Sequence, residues 1–180
     1  MTLSNSPALP PRRLGAIIAG GRATRFGSDK GAALLGGVAL IDHAARALAP
    51  WVDDIVVCGR DWPGLRSIAD RPASGLGPLG GIAAALVAAE GYGWVLTTGC
   101  DMPELPDALI SALVEGESRF CTDAPILGCW SPDLAGPLEA HLRSGGDRSV
   151  RRWAAAVGAI GVPAPCALAN VNTPADLAAL

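Results

Sequence analysis

Apolar positions in this chain come in short unbroken runs, separated by alanine-rich stretches with helical spacing and by loops broken with glycine and proline. The run LGAIIA predicts a buried strand over residues 14–19, because a strand covered on both faces need not alternate apolar and polar side chains. Residues 54–58 (DIVVC) and 94–98 (WVLTT) read the same way, and residues 118–122, 125–130 and 159–162 add three more strands. Residues 38–49 (VALIDHAARALA) carry a helical pattern that Pro50 ends. Further helices are expected over 82–90, 107–115, 132–143 and 149–157, with Pro106 suited to the first turn of the second of these. Residues 59–76 read as mostly irregular. Gly77-Pro78-Leu79-Gly80-Gly81 reads as a second glycine-rich turn, and residues 174–180 as a last helical turn or two after a turn at 170–174.

Strands alternating with helices through the first two thirds predict an α/β fold, a mostly parallel sheet with helices on both faces. Sheets of this kind take ligands beyond the carboxyl ends of their strands. Three predicted strand ends carry polar or reactive residues: Gly20 to Lys30, Cys58-Gly59-Arg60, and Cys100-Asp101. They are expected to converge on one crevice. The first is the most telling. The apolar run breaks at Gly20-Gly21 into a loop with Arg22 and Arg25 that closes on Lys30. Glycine lets backbone N–H groups approach an anion, so the loop reads as a cradle for a nucleoside triphosphate. It is not a Walker A loop, since Ser28 and Asp29 stand between Gly27 and Lys30, and it is not G-x-G-x-x-G.

The 180 residues are enough for one domain, expected over residues 14–180 behind a disordered tail at 1–13. A net charge of −3 gives no basic face for nucleic acid, and no apolar run approaches membrane-spanning length. The first residues, MTLSNSPALPPRR, lack the apolar core of a signal peptide, so the expectation is a cytoplasmic protein. Of fourteen basic residues a single one is lysine, and it is Lys30. A compact ammonium suits phosphate, and arginine is not its equivalent. The five cysteines contain no C-x-x-C pair and there are only two histidines, which argues against zinc and for reduced, packed thiols.

Asp101 follows an apolar strand directly. It reads either as a Mg²⁺ ligand or as a turn aspartate, and beside a phosphate loop the metal role is favoured. Asp70, in Asp70-Arg71-Pro72, reads as an acceptor for purine N–H groups or a ribose hydroxyl, or as a surface ion-pair partner. His43 and His141 fall within predicted helices, and no nucleophile–histidine arrangement is evident. A phosphate nucleophile is already anionic, so positioning and charge neutralisation suffice without a general base.

The run AIIAGGRATRFGSDKG resembles the signature of the molybdenum cofactor guanylyltransferases, the MobA-type nucleotidyltransferases. Further matches follow in order: Asp70-Arg71-Pro72, the GPLGG turn, Cys100-Asp101-Met102-Pro103, Pro125-Ile126-Leu127-Gly128, and Asn170-Val171-Asn172-Thr173-Pro174. The resemblance implies a Rossmann-like three-layer sandwich of the nucleotide-diphospho-sugar-transferase type. It implies transfer of GMP from GTP to the terminal phosphate of molybdopterin-bound molybdenum cofactor, with release of pyrophosphate and with Mg²⁺ as cofactor. It also implies roles for residues. Ala19, Gly20 and Gly21 contact the nucleotide through backbone groups, Lys30 and Arg25 neutralise phosphates, Asp70 recognises the nucleotide, and Asp101 binds the metal. Asn170 and Asn172 lie toward the pterin, with Gly146-Asp147-Arg148-Ser149 nearby. Transient contact with cofactor-synthesis or molybdoenzyme-maturation proteins is implied as well. Phe26 stands where the family usually has Met, and Cys58-Gly59-Arg60 where members often carry an asparagine, so a nucleotide contact does not transfer to that position. The competing readings are a same-fold enzyme with another base or acceptor, such as CTP to molybdopterin or activation of a sugar or alcohol phosphate, and a non-catalytic nucleotide-binding module.

Overall fold

A computed structural model describes residues 11–20 and 29–178. The first apolar run forms β1, Arg13–Ile18, and its residues explain the layering. Leu14, Ala16 and Ile18 point to one face and Ile17 to the other, and all four are buried. The strand is therefore covered on both sides, as an unbroken apolar run requires.

After β1 come the small hairpin β2 (Leu34–Leu35) and β3 (Val38–Ala39), then α1 (Leu40–Leu48), β4 (Asp54–Cys58), β5 (Arg66–Ile68), α2 (Pro78–Val87) and β6 (Trp94–Gly99). The chain continues through α3 (Asp107–Leu113), β7 (Arg119–Cys121), β8 (Gly128–Trp130), α4 (Ala135–Arg143), α5 (Val150–Ala156), β9 (Ile160–Val162) and α6 (Pro174–Ala178). Seven strands make one sheet in the order β5-β4-β1-β6-β8-β7-β9. Every pairing is parallel except the two made by β8. The α/β three-layer architecture expected from the alternation is the one observed. Helix α2 and, through Leu138, Leu142 and Trp153, α4 and α5 cover one face; α1 and α3 cover the other. Trp130 is fully buried where α4 and α5 meet the sheet. Its Nε1 donates to Thr97 Oγ1 at 2.9 Å, and that hydroxyl donates to the Ile126 carbonyl at 2.6 Å, so these buried polar groups are satisfied.

Three sequence expectations need correction. Helix α2 starts at Pro78, not at residue 82, so the GPLGG segment is the helix's own first turn. Gly77 takes φ +69 and Pro78 occupies the first turn, where a missing N–H costs nothing. Gly81 belongs inside the helix because a Cβ there would sit 3.0 Å from Ile18 Cγ2, so α2 lies unusually close to the sheet. Second, the helix expected from residue 38 begins at Leu40, and Val38–Ala39 instead pairs with Leu34–Leu35 around Gly36-Gly37. Third, the irregular stretch at 59–76 contains β5, an edge strand paired only with β4.

Order within the sheet places the site. β1 is flanked by β4 on one side and β6 on the other, with Ile18 in register with both Cys58 and Gly99. All three strands run the same way, so their carboxyl ends open side by side at the switch point.

Candidate active site

The three strand ends do converge. A cleft of about 390 Å³ opens there, within the usual range for small-molecule sites. Its walls include Ala19 and Gly20 after β1, Arg60 after β4, Cys100 and Asp101 after β6, and Gly77 and Pro78 at the start of α2. No side chain caps the first turn of α2. The helix dipole favours negative charge at this end, where Gly77 and Pro78 line the cleft.

One wall gathers charge. Lys30 Nζ donates to Asp101 Oδ2 at 2.9 Å and to Asn172 Oδ1 at 3.2 Å. These residues come from three distant parts of the chain. Lys30 opens a short 3-10 turn, Lys30–Ala32, whose N-cap is Asp29. Asp101 follows β6, and its carboxylate folds back over Gly99, where any Cβ would stand 2.2 Å from Oδ1. Asn172 is held by the turn before α6. There the Asp176 carboxylate accepts the N–H groups of Asn172 and Thr173 at 2.8 Å each, while the Asp176 N–H donates to Thr173 Oγ1 at 3.2 Å. That reciprocal pattern is a capping box with proline at the first helical position. These backbone bonds hold the Asp176 carboxyl below its ordinary value. The Val171 N–H donates to the Asp101 carbonyl at 2.9 Å, which ties the turn to the site.

The opposite wall is built around Asp70. A Cβ on Gly20 would fall 2.7 Å from Asp70 Oδ2. Gly59, at φ +83, could take a Cβ only 2.5 Å from the Gly20 backbone. Two glycines thus let β1 and β4 close on this carboxylate. Asp70 Oδ1 is buried and has no hydrogen-bond partner among the described residues. Burial pushes its carboxyl above the ordinary range. An orphaned buried acceptor on a cleft wall is suited to a ligand's donor groups.

Between the walls lies an ion pair that sequence reasoning passed over. The Arg60 guanidinium donates through both terminal nitrogens to the two oxygens of Asp29. The pair holds the Asp29 carboxyl below its ordinary range. Asp29 is adjacent to Lys30, and Arg60 lines the cleft. The sequence signal was that Cys58-Gly59-Arg60 ends a predicted strand and stands where the resembling family often carries an asparagine. Cys100 also lines the cleft, with its thiol pushed up to about 11, mainly by burial.

Other expected residues lie elsewhere. Gly21 and Arg25 fall outside the described residues. Asn170 does not join Asn172 at Lys30; it lines a separate pocket with Asp123, Ala164 and Cys166. Arg148 Nη1 donates to the Gly75 carbonyl at 3.0 Å, pinning the 146–149 segment beside the turn that precedes α2. His43 and His141 each bond a backbone carbonyl, of Leu35 and Asp147, and neither lines the cleft.

Residues 15–159 match the model of the MobA-like NTP transferase domain. The chain belongs to that family. A molybdenum cofactor guanylyltransferase of Pseudomonas paraeruginosa is 36% identical over 191 residues, covering 95% of each chain. One from Rhodobacter capsulatus is 36% identical over 182 residues, covering 93% of this chain and 94% of its own. The molybdopterin-guanine dinucleotide biosynthesis protein A of Archaeoglobus fulgidus shares the fold, with a TM-score of 0.72 at 21% identity over 92% of this chain and 95% of its own. A 2-C-methyl-D-erythritol 4-phosphate cytidylyltransferase from Thermus thermophilus shares it too, at 0.64 and 16% identity, over 95% and 97%. The MobA-like fold accounts for the sheet order and for the crevice. Among the described residues no group of three His, Cys, Asp or Glu stands ready to cage a metal, and no helix is long and apolar enough to cross a membrane.

Proposed function

We propose that this chain is a molybdenum cofactor guanylyltransferase. It transfers GMP from GTP to the terminal phosphate of molybdopterin-bound molybdenum cofactor and releases pyrophosphate. The observation that carries this is the pair of cleft walls: Lys30 on Asp101 and Asn172 at one side, and at the other Asp70, whose Oδ1 has no partner among the described residues. The long relatives at 36% identity support the choice of base and acceptor.

In this scheme an oxygen of the pterin's phosphate forms a bond to the α-phosphorus of GTP, and the bond from that phosphorus to the bridging oxygen of pyrophosphate breaks. The attacking phosphate is already anionic, so no side chain has to remove a proton. Lys30, with Arg25 and the amides of Ala19, Gly20 and Gly21, holds the phosphates and offsets their charge. Asp70 accepts from the guanine N–H groups or the ribose hydroxyl. Asn172 orients Lys30, and Asn170 faces the pterin end from the neighbouring pocket.

Asp101 fits a Mg²⁺ ion in donor chemistry: Mg²⁺ takes one or two carboxylates and completes its shell with substrate phosphates and water. When bound there, the ion would supply charge neutralisation at the phosphates. The cytoplasm is the proposed site of reaction, with GTP and the pterin as substrates and transient contact with proteins that receive the product.

Titration with GTP, CTP, ATP and UTP in the presence of Mg²⁺ tests the proposal. Selective GTP binding is expected, followed by pyrophosphate release when molybdopterin-bound cofactor is added. Selective CTP binding would move the chain to a cytidylyl-transferring role on the same fold, and binding of none would remove the catalytic role.

A further inference from the structure

Asp29 is an awkward residue to find in a cleft meant for a polyanion. It is adjacent to Lys30 and lines the same cavity. It is needed locally, because its Oδ1 accepts the Ala32 N–H and so caps the turn that carries Lys30. Left alone, its charge would repel a triphosphate at short range. Arg60 answers it with a two-pronged contact, the geometry in which arginine exceeds lysine.

Arg60 is itself held. Its guanidinium lies 5.3 Å from the ring centre of Trp62, and Trp62 Nε1 donates to Asp42 of α1 at 2.8 Å. A Cβ on Gly31 would meet Arg60 Nη1 at 2.9 Å, so the Lys30–Ala32 turn packs directly against the guanidinium. The side chain is only 25% exposed. A continuous set of contacts therefore runs from α1 through Trp62, Arg60 and Asp29 to the turn that aims Lys30 at Asp101.

We propose that Arg60 is a positioning residue for phosphate binding: it cancels the charge of Asp29 and fixes the turn that presents Lys30. This rests on the cleft holding a nucleoside triphosphate, as proposed above. The ion pair couples the end of β4 to the phosphate wall.

The test is a double-mutant cycle read by calorimetry with three probes, Mg²⁺-GTP, Mg²⁺-tripolyphosphate and guanosine. Arg60→Gln should weaken both phosphate ligands at least about tenfold, since it leaves an uncompensated carboxylate beside them. Guanosine affinity should stay the same. Asp29→Asn keeps an N-cap acceptor. Combined with Arg60→Gln, it should recover most of the lost phosphate affinity. Arg60→Lys should fall between the parent and Arg60→Gln. A double variant as weak as Arg60→Gln would overturn the proposal, because Arg60 would then grip the ligand itself. Equal losses for guanosine and GTP would overturn it too, since they would mark general damage to the fold. Tripolyphosphate keeps the two proposals separable. If the parent binds it but not GTP, the guanylyl assignment fails and the Arg60 cycle can still be read.

Discussion

Two aspartates face the same cleft and are treated in opposite ways. Asp101 has a cation on it: Lys30 Nζ is 2.9 Å from its Oδ2. Among the described residues Asp70 has none, and one of its oxygens is buried without a partner there. The first acid already holds the ammonium that is proposed to meet the phosphates. The second carries a cost in the empty protein that a ligand's N–H or O–H donors can remove. The difference marks a phosphate end and a nucleoside end of one crevice.

The comparison is broken most severely at Asp101. Asp101→Asn should lower the rate of pyrophosphate release by about 10²–10³-fold or more while leaving the circular dichroism spectrum unchanged. Full turnover in that variant would remove Asp101 from the metal role. Lys30→Ala should come next, with a loss of roughly 10²-fold in kcat/KM, shared between GTP affinity and turnover. If neither changes, Lys30 belongs to the scaffold and not to the site.

Asp70→Asn sharpens the contrast because its two consequences have opposite signs. Nucleoside affinity should fall by about tenfold, the loss of a buried acceptor. Stability should rise at neutral pH. Burial raises this carboxyl's value in the folded chain, so the unfolded chain gives up the proton more readily. The penalty is complete above the raised folded value and fades as pH falls through it toward the ordinary 3.8. Thermal melts across that window should show the variant's advantage shrinking with acidification. An advantage that grew on acidification would mean the carboxylate is stabilised in the fold. The smallest effect belongs to Asp176→Ala. It removes the acceptor of two backbone N–H groups behind Asn172. A severalfold rise in KM for GTP with little change in melting temperature is expected, since the loss is confined to one short capping box. An unchanged KM would show that the turn holds Asn172 without it.

Much of this was legible in the chain, and the exceptions have reasons. β1, β4 and β6 announced themselves because strands buried on both faces read as near-continuous apolar runs. β5 did not, because an edge strand of Arg66-Ser67-Ile68 needs no apolar run. The β2–β3 hairpin carried a usable signal, Gly36-Gly37, and both glycines do adopt positive φ, but a helical pattern running from residue 38 obscured it. Gly80 and Gly81 looked like loop residues, and the proximity of Asp70 and Leu76 to the first, and of Ile18 and Cys58 to the second, explains two glycines in a helix. Within the site, Lys30, Asp70 and Asp101 could be picked out by residue type and by position after strands or turns. The separation of Asn172 from Asn170 could not, since it depends on the capping box that follows Asn172 and on the bond from Val171 to Asp101. Arg60 was hidden for a different reason. Its meaning lies in Asp29, thirty-one residues away, and pairing at that range leaves no local pattern.

The bond from Lys30 to Asn172 joins residues 142 positions apart, and the one from Lys30 to Asp101 spans 71. Contacts that close such long loops carry the greatest entropic cost and tend to form after local structure is in place. On a growing chain the glycine loop emerges early, yet its lysine lacks one of its two acceptors until the turn at 170–176 has been made and has docked. The cleft therefore matures last, when the rest of the sheet is already built, and nucleotide affinity should serve as a late-stage reporter of folding.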